Sequence, residues 1–160
     1  MARDSRIPLL LDVVDQAFDH RAWHGTPLAG ALRGVGWRQA LARPRAGRHN
    51  IWELTLHAAY WKYVVRRRLS RDPELVFPRS PANWPALPVL RDADAWRRDL
   101  ALLKREHRLL REVIAAFPPA RLHQRGWRSR RWTNIQHIYG IASHDLYHAG
   151  QIQLIKRLTA

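Results

Sequence analysis

Apolar residues recur three and four positions apart over four long stretches of this 160-residue chain, the period of a helix face. From residue 5 to about 21 the stripe is Ile7, Leu10, Leu11, Val14, Ala17 and Phe18, and the predicted helix stops before Gly25. A second helix is predicted from about 51 to 69 along Leu54, His57, Trp61 and Val64, with Ala58 and Val65 beside them. Asn50 and Glu53 mark its start, because each side chain at that spacing can serve the other's backbone N–H. The third, capped by Asp92, runs to about 116 on Trp96, Leu100, Leu103, His107, Leu110, Ile114 and Phe117, and Pro118-Pro119 ends it. The fourth, roughly 134 to 158, opens at the capping pair Thr133 and Gln136. Its line is His137, Ile141, His144, His148, Gln151, Ile155 and Leu158.

The connections separate these helices without adding strands. Thr26-Pro27 reads as an N-cap followed by proline at the first helical position, opening a short turn through Leu28, Ala31 and Leu32. Gly34, Gly36, Pro44 and Gly47 mark an irregular connector. Between helices two and three, residues 70–91 hold Pro73, Pro78, Pro81, Pro85 and Pro88 with Phe77, Trp84 and Leu87. No helix survives that proline spacing. A connection of that length can cross an end of a bundle, and its aromatics give it a reason to pack there. The expected fold is all-α, one helical bundle domain over residues 1–160.

Composition narrows the chemistry. There is no cysteine, which excludes disulfides, thiolate metal sites and a cysteine nucleophile, so any thiol must be borrowed. The apolar run near the N-terminus is broken by Asp12 and Asp15, which fits an amphipathic helix better than a signal peptide or membrane span; the expectation is a cytoplasmic protein. A formal charge of +15 raises nucleic acid as a partner. No recognition helix, RNA-binding aromatic motif or glycine loop supports that partner, so nucleic acid is not the expected one. The runs Arg66–Arg68 and Arg128–Arg131 fall at a predicted helix end and in a predicted loop, where solvation or compensation of the helix dipole accounts for them; an anionic substrate is the more modest use of such a field.

The histidines change the picture. His144 and His148 lie one turn apart, with Gln151 a turn further on, where a purely structural helix would carry leucines. Leaving such groups buried and unpaired costs about 1 to 3 kcal/mol each. A metal ion removes that cost, and His57, on the apolar stripe of another helix, is the best-placed third ligand. Three neutral imidazoles keep the ion's charge and leave coordination positions open, as catalytic sites do. Satisfied core histidines are the competing reading, because nine histidines also produce the pair His20 and His24. His107 reads as a hydrogen-bonded core residue, and His137 is about 10 Å along the axis from His144, too far to share its ion, though able to line a pocket. Trp61 and His24 are candidates to shape that pocket, and Gln151 to hold an imidazole or ligand.

The segment His144-Asp145-Leu146-Tyr147-His148-Ala149-Gly150-Gln151 and the segment from Ile51 to Trp61 resemble the DinB/YfiT-like superfamily, which includes metalloenzymes. The Ala22–Gly25 segment and the proline-rich loop fit the same family, so the resemblance spans most of the chain. It implies a four-helix bundle with crossed rather than simple up-and-down connections, a divalent ion on His57, His144 and His148, and a homodimer. It further implies transfer of a low-molecular-weight thiol to small electrophiles.

The leading expectation is therefore a metal-dependent enzyme, with zinc or nickel suited to nitrogen ligands, acting as a thiol S-transferase on a small-molecule substrate. A bound thiolate is the better nucleophile near neutral pH. The alternatives are a metal-dependent hydrolase and a non-catalytic, basic, stress-related protein that contacts nucleic acid.

Overall fold

The computed structural model describes residues 5–159; expectations for residues 1–4 and 160 fall outside it. Its long helices are α1 (Arg6–Phe18), α4 (Ile51–Ser70), α5 (Ala93–Ala115) and α6 (Asn134–Leu158), with the short helices α2 (Leu28–Leu32) and α3 (Trp37–Leu41) between the first two. No strand occurs among the described residues. Helix α4 packs on α5 and α6, α1 packs on α6 and α5, and α2 lies against α6, closing an all-helical bundle.

The start signals act as the sequence predicts. Asn50 Oδ1 accepts the Glu53 N–H at 2.9 Å while Glu53 accepts the Asn50 N–H at 3.0 Å. Thr133 and Gln136 form the equivalent box, and Asp92 accepts the Ala95 N–H at 2.8 Å. Two local expectations fail. Thr26 makes no cap, because α2 begins after Pro27 without a side-chain hydrogen bond. The supposedly irregular connector contains α3, whose Ala40 is fully buried and which packs on α4. A helix of one turn is stabilised by its tertiary contacts rather than by propensity, so flanking glycines conceal it.

The proline-rich loop is fastened to the bundle rather than free. Phe77 is buried, Leu75, Trp84 and Leu87 pack beside it, and the Tyr63 hydroxyl donates to the Leu75 carbonyl at 2.7 Å. Asp99 on α5 accepts from Trp52 Nε1 at 2.8 Å and pairs with Arg79 of the loop.

The expected inward lines of α4 and α6 hold in part: Leu54 and His57 on α4, and His137, Ile141, His148 and Ile155 on α6, are buried, but the deepest line of each helix runs beside the expected one. On α4 the buried line is Ile51, Thr55, Ala58, Lys62, Val65 and Leu69, while Trp61 and Val64 are only half-buried. On α6 it is Ile138, Ile141, Asp145, Ile152 and Ile155, with His148 beside it; His144 and Gln151 are half-buried and Leu158 is exposed. The cause is one charged residue in the middle of each seam. Lys62 and Asp145 are both fully buried and pair with each other.

Around that pair a polar layer crosses the bundle. Lys62 Nζ lies 3.3 Å from His107 Nδ1, His107 Nε2 is 3.7 Å from Asp15, and Arg111 donates to Asp15 at 2.8 Å. His107 also stacks on Phe18 with ring centroids 3.7 Å apart. Arg66 and Glu106 form a second buried pair at 2.9 Å. The layer separates one apolar cluster, centred on Trp52, Leu56, Leu103 and Ile152, from another centred on Val14, Leu110, Ile114 and Ile138.

Breaking a buried ion pair strands a charge, whereas replacing both members with apolar groups is often neutral or better. Lys62→Met is therefore expected to lower unfolding free energy by about 3 to 5 kcal/mol. Lys62→Met combined with Asp145→Leu should recover most of that loss, as read by urea denaturation.

Candidate metal centre

The triad forms where α4 and α6 meet at the edge of the buried seam. His57 is carried by the first half of α4, and His144 and His148 are one turn apart on α6. Their Nε2 atoms converge: His57 to His144 is 3.2 Å and His144 to His148 is 3.1 Å. His57 and His148 are 6% and 4% exposed, so the cluster is accessible chiefly along its His144 side.

Two of the three rings are held from behind. His57 Nδ1 donates to the Asn83 carbonyl at 2.6 Å, and His148 Nδ1 donates to Gln151 Oε1 at 2.7 Å. With the proton on Nδ1, each ring presents its Nε2 lone pair to the cluster. A proton on His144 Nε2 can satisfy only one of the two contacts, leaving the other as lone pair against lone pair. A cation among the three removes that conflict. The separations are also close to the roughly 3.3 Å edge expected of a tetrahedron with metal–nitrogen bonds of about 2.0–2.1 Å. His57, His144 and His148 form a group whose ligand atoms all lie within 4.8 Å of one another, so these residues fit a divalent ion.

Burial is the largest influence on the rings' protonation. It pushes His57 down to about 4, opposed by the Asn83 hydrogen bond, and His144 down to about 3 with help from the neighbouring imidazoles. His148 is lowered by burial against the opposing Gln151 hydrogen bond. All three are neutral near pH 7, the state in which imidazole binds a metal.

Residues 21–152, a span that includes all three histidines, match the DinB superfamily. The chain belongs to the DinB superfamily. No curated protein and no solved structure matches it. The rest of the site is therefore described from this DinB protein's own residues.

Asn83 and Trp84, both in the proline-rich loop, complete the mounting. Asn83 adopts a left-handed backbone (φ 70°), which turns its carbonyl to His57, and its Oδ1 accepts from Trp61 Nε1 at 2.9 Å. Trp84 stacks on His57 at 3.9 Å with its other face against His49 at 3.6 Å. Neither residue stands out in the sequence as a site residue. The available signals were an asparagine, which tolerates left-handed backbone, and a tryptophan among prolines.

Gln151 touches His148 and Trp61 lies beside the triad, while His24 does not reach it. The chain turns on Gly25 (φ 104°) after α1 ends, leaving His24 exposed and outside the cavities that touch the histidines. Asp145 meets Lys62, and no hydrogen bond joins it to an imidazole among the described residues. A cavity of about 560 Å³ is lined by all three histidines with Trp84, Tyr147 and Leu154. That volume suits a small molecule.

The lowered histidines set an acid limit. Each is neutral when folded but takes a proton near 6.5 when unfolded, so its contribution is complete above 6.5 and is lost as pH falls towards its folded value. His137, which burial pushes down to about 4, acts in the same direction. Asp145, which burial pushes up to about 6 against the Lys62 charge, acts oppositely, favouring the folded state by about 1 kcal/mol as pH falls to 5. With roughly 2 kcal/mol lost per histidine at pH 5, the net effect is loss. The metal-free protein should show a urea midpoint that falls steadily from pH 7 to pH 5; a flat profile would contradict neutral buried rings.

Proposed function

We propose that this DinB protein is a metal-dependent enzyme in which His57, His144 and His148 hold one divalent ion, zinc or nickel, and that it transfers a small thiol to an electrophile. The observation that supports the ion is the convergence of three Nε2 atoms, two of which, on His57 and His148, have their rings' Nδ1 protons committed to Asn83 and Gln151. Bound there, the ion would supply charge that favours the thiolate over the thiol at neutral pH.

The chain's own residues do the remaining work. Asn83 and Trp84 fix the His57 ring and Gln151 that of His148, so these two need little reorganisation on binding. Trp84, Leu154 and Leu158 give the cavity an apolar wall, which suits a small organic electrophile. The chain has no cysteine, so the sulfur must come from a second substrate.

Purified wild type should carry about one equivalent of metal, and His57→Ala and His148→Ala should lose it. Gln151→Leu, which removes the acceptor at His148 Nδ1, should weaken metal affinity about 10- to 100-fold in a competition titration. Stoichiometric metal in both alanine variants would sink the site. If metal-loaded wild type conjugates no small thiol to electrophiles but hydrolyses ester probes, the transferase reading gives way to the hydrolase.

A further inference from the structure

A second cavity, of about 490 Å³, lies on the other side of His144. His144 lines both cavities, and Trp61 stands beside it in this one. The walls bring together two arginine groups far apart in the chain: Arg68 from the last turn of α4, and Arg128, Arg130 and Arg131 from the loop before α6. Among the described residues, no acidic side chain lines the cavity.

Arg68 is not merely solvated. Elsewhere, inward-turning cations mostly meet a carboxylate, as Lys62 does Asp145, Arg66 Glu106 and Arg79 Asp99, or backbone carbonyls, as half-buried Arg67 and Lys156 do. Arg68 is half-buried and has neither; its guanidinium lies 3.5 Å from His137 Nδ1, and burial lowers its pKa. Arg121 shares that lack, but lies over Phe117 and outside the cavity.

The loop that supplies the other three is tied down. A bridge between Arg125 and Thr133 closes it, the Gly126 N–H donates to the Trp132 carbonyl at 3.0 Å, and the Ser129 N–H donates back to Gly126 at 2.9 Å. Gly126 sits so close to α6 that a Cβ there would stand 2.7 Å from His137 Cδ2. Arg128 holds a left-handed backbone (φ 55°), a conformation costly for a side chain of its kind. Arg128 and Arg131 lie over Trp127 and Trp132, with guanidinium carbons 4.4 and 4.9 Å from the rings, which limits their freedom before any ligand arrives.

We propose that this arginine-walled cavity binds the oxyanion end, carboxylate or phosphate, of a small organic molecule, placing that molecule against the ring of His144. Guanidinium groups suit either oxyanion through paired N–H donors. The proposal gives the function above a substrate class, an anionic reactant, and rests on that reading only for its link to chemistry.

The test is titration of the purified protein at physiological salt with succinate and with glycerol 3-phosphate, read by calorimetry and by the fluorescence of Trp61 and Trp132. Saturable binding is expected, absent for uncharged glycerol. Affinity should fall about 10- to 100-fold in Arg68→Gln, the worth of one charge-assisted contact, and less in Arg68→Lys, which keeps the charge without the fork. Arg131→Gln, on the exposed loop, carries the same test should Arg68→Gln fail to fold. The tighter of the two ligands identifies carboxylate or phosphate as the preferred group.

Equal affinities in wild type, Arg68→Gln and Arg131→Gln would overturn the proposal. So would retention of duplex DNA or RNA without binding of either small anion, which would make the arginines a nucleic-acid surface. Repeating the titration on chelator-treated protein separates the two readings. Arginine-dependent anion binding without any metal site would leave this proposal standing alone, and a stoichiometric metal without anion binding would leave only the metal centre.

Discussion

A lysine and an aspartate, both fully buried, meet at the middle of the bundle, and the placement of nearly everything else follows from that contact. Lys62 and Asp145 face each other because each occupies the apolar seam of its helix; neither α4 nor α6 can rotate without stranding a charge in a medium that penalises it by several kcal/mol. That constraint fixes the azimuth of both helices. It turns His144 and Gln151 to the edge of the core, half-buried, instead of into its centre. An edge position is what a reactive site needs, since histidines on the seam itself would be sealed by packing. Registry imposed by a buried polar contact is a recognised use of such pairs.

The converging imidazole nitrogens are arranged by a different part of the chain. Two helices, the connection before α4 and the proline-rich loop form the cavity wall, yet the orientation of His57 is set by a backbone carbonyl and an indole from the loop alone. Helical spacing puts His144 and His148 one above the other, but it does not select which nitrogen of each ring is protonated. Acceptors behind Nδ1 do so for two of the rings. The half of the site that looks irregular therefore carries as much of its chemistry as the half with the recognisable spacing.

Much of this was legible in the sequence, for identifiable reasons. Helix boundaries were written in caps such as Asn50 with Glu53 and Thr133 with Gln136, and α5 announced its seam because every member of that line except His107 is apolar, although Asp99 and Glu106 are buried beside it. The seams of α4 and α6 were read only in part: Leu54, His57, Ile141, His148 and Ile155 are buried as expected, while the two deepest polar members were passed over. Periodicity arguments search for hydrophobes, and Lys62 and Asp145 are the strongest possible counter-signals at buried positions. Only their partnership across 83 residues explains them, and a single helix cannot display it. The three histidines could be chosen from spacing and resemblance, while Asn83 and Trp84 could not, because loop geometry carries no periodic signature. His24 was drawn in by its neighbourhood and left out by the path of the turn. The two arginine runs were read separately, and only the fold places them on one cavity.

Asn83 also divides the connection between α4 and α5 into two arms. Lengthening a surface loop ordinarily costs little, growing only with the logarithm of its length. Here that tolerance applies to each arm separately, because the residue between them is pinned over His57 by its carbonyl and over Trp61 by its side chain. Insertions before or after the pinned residue can reshape the cavity rim, and with it what the cavity admits, while the imidazole beneath keeps its orientation. One connection thus serves as a fixed mount and as two adjustable borders.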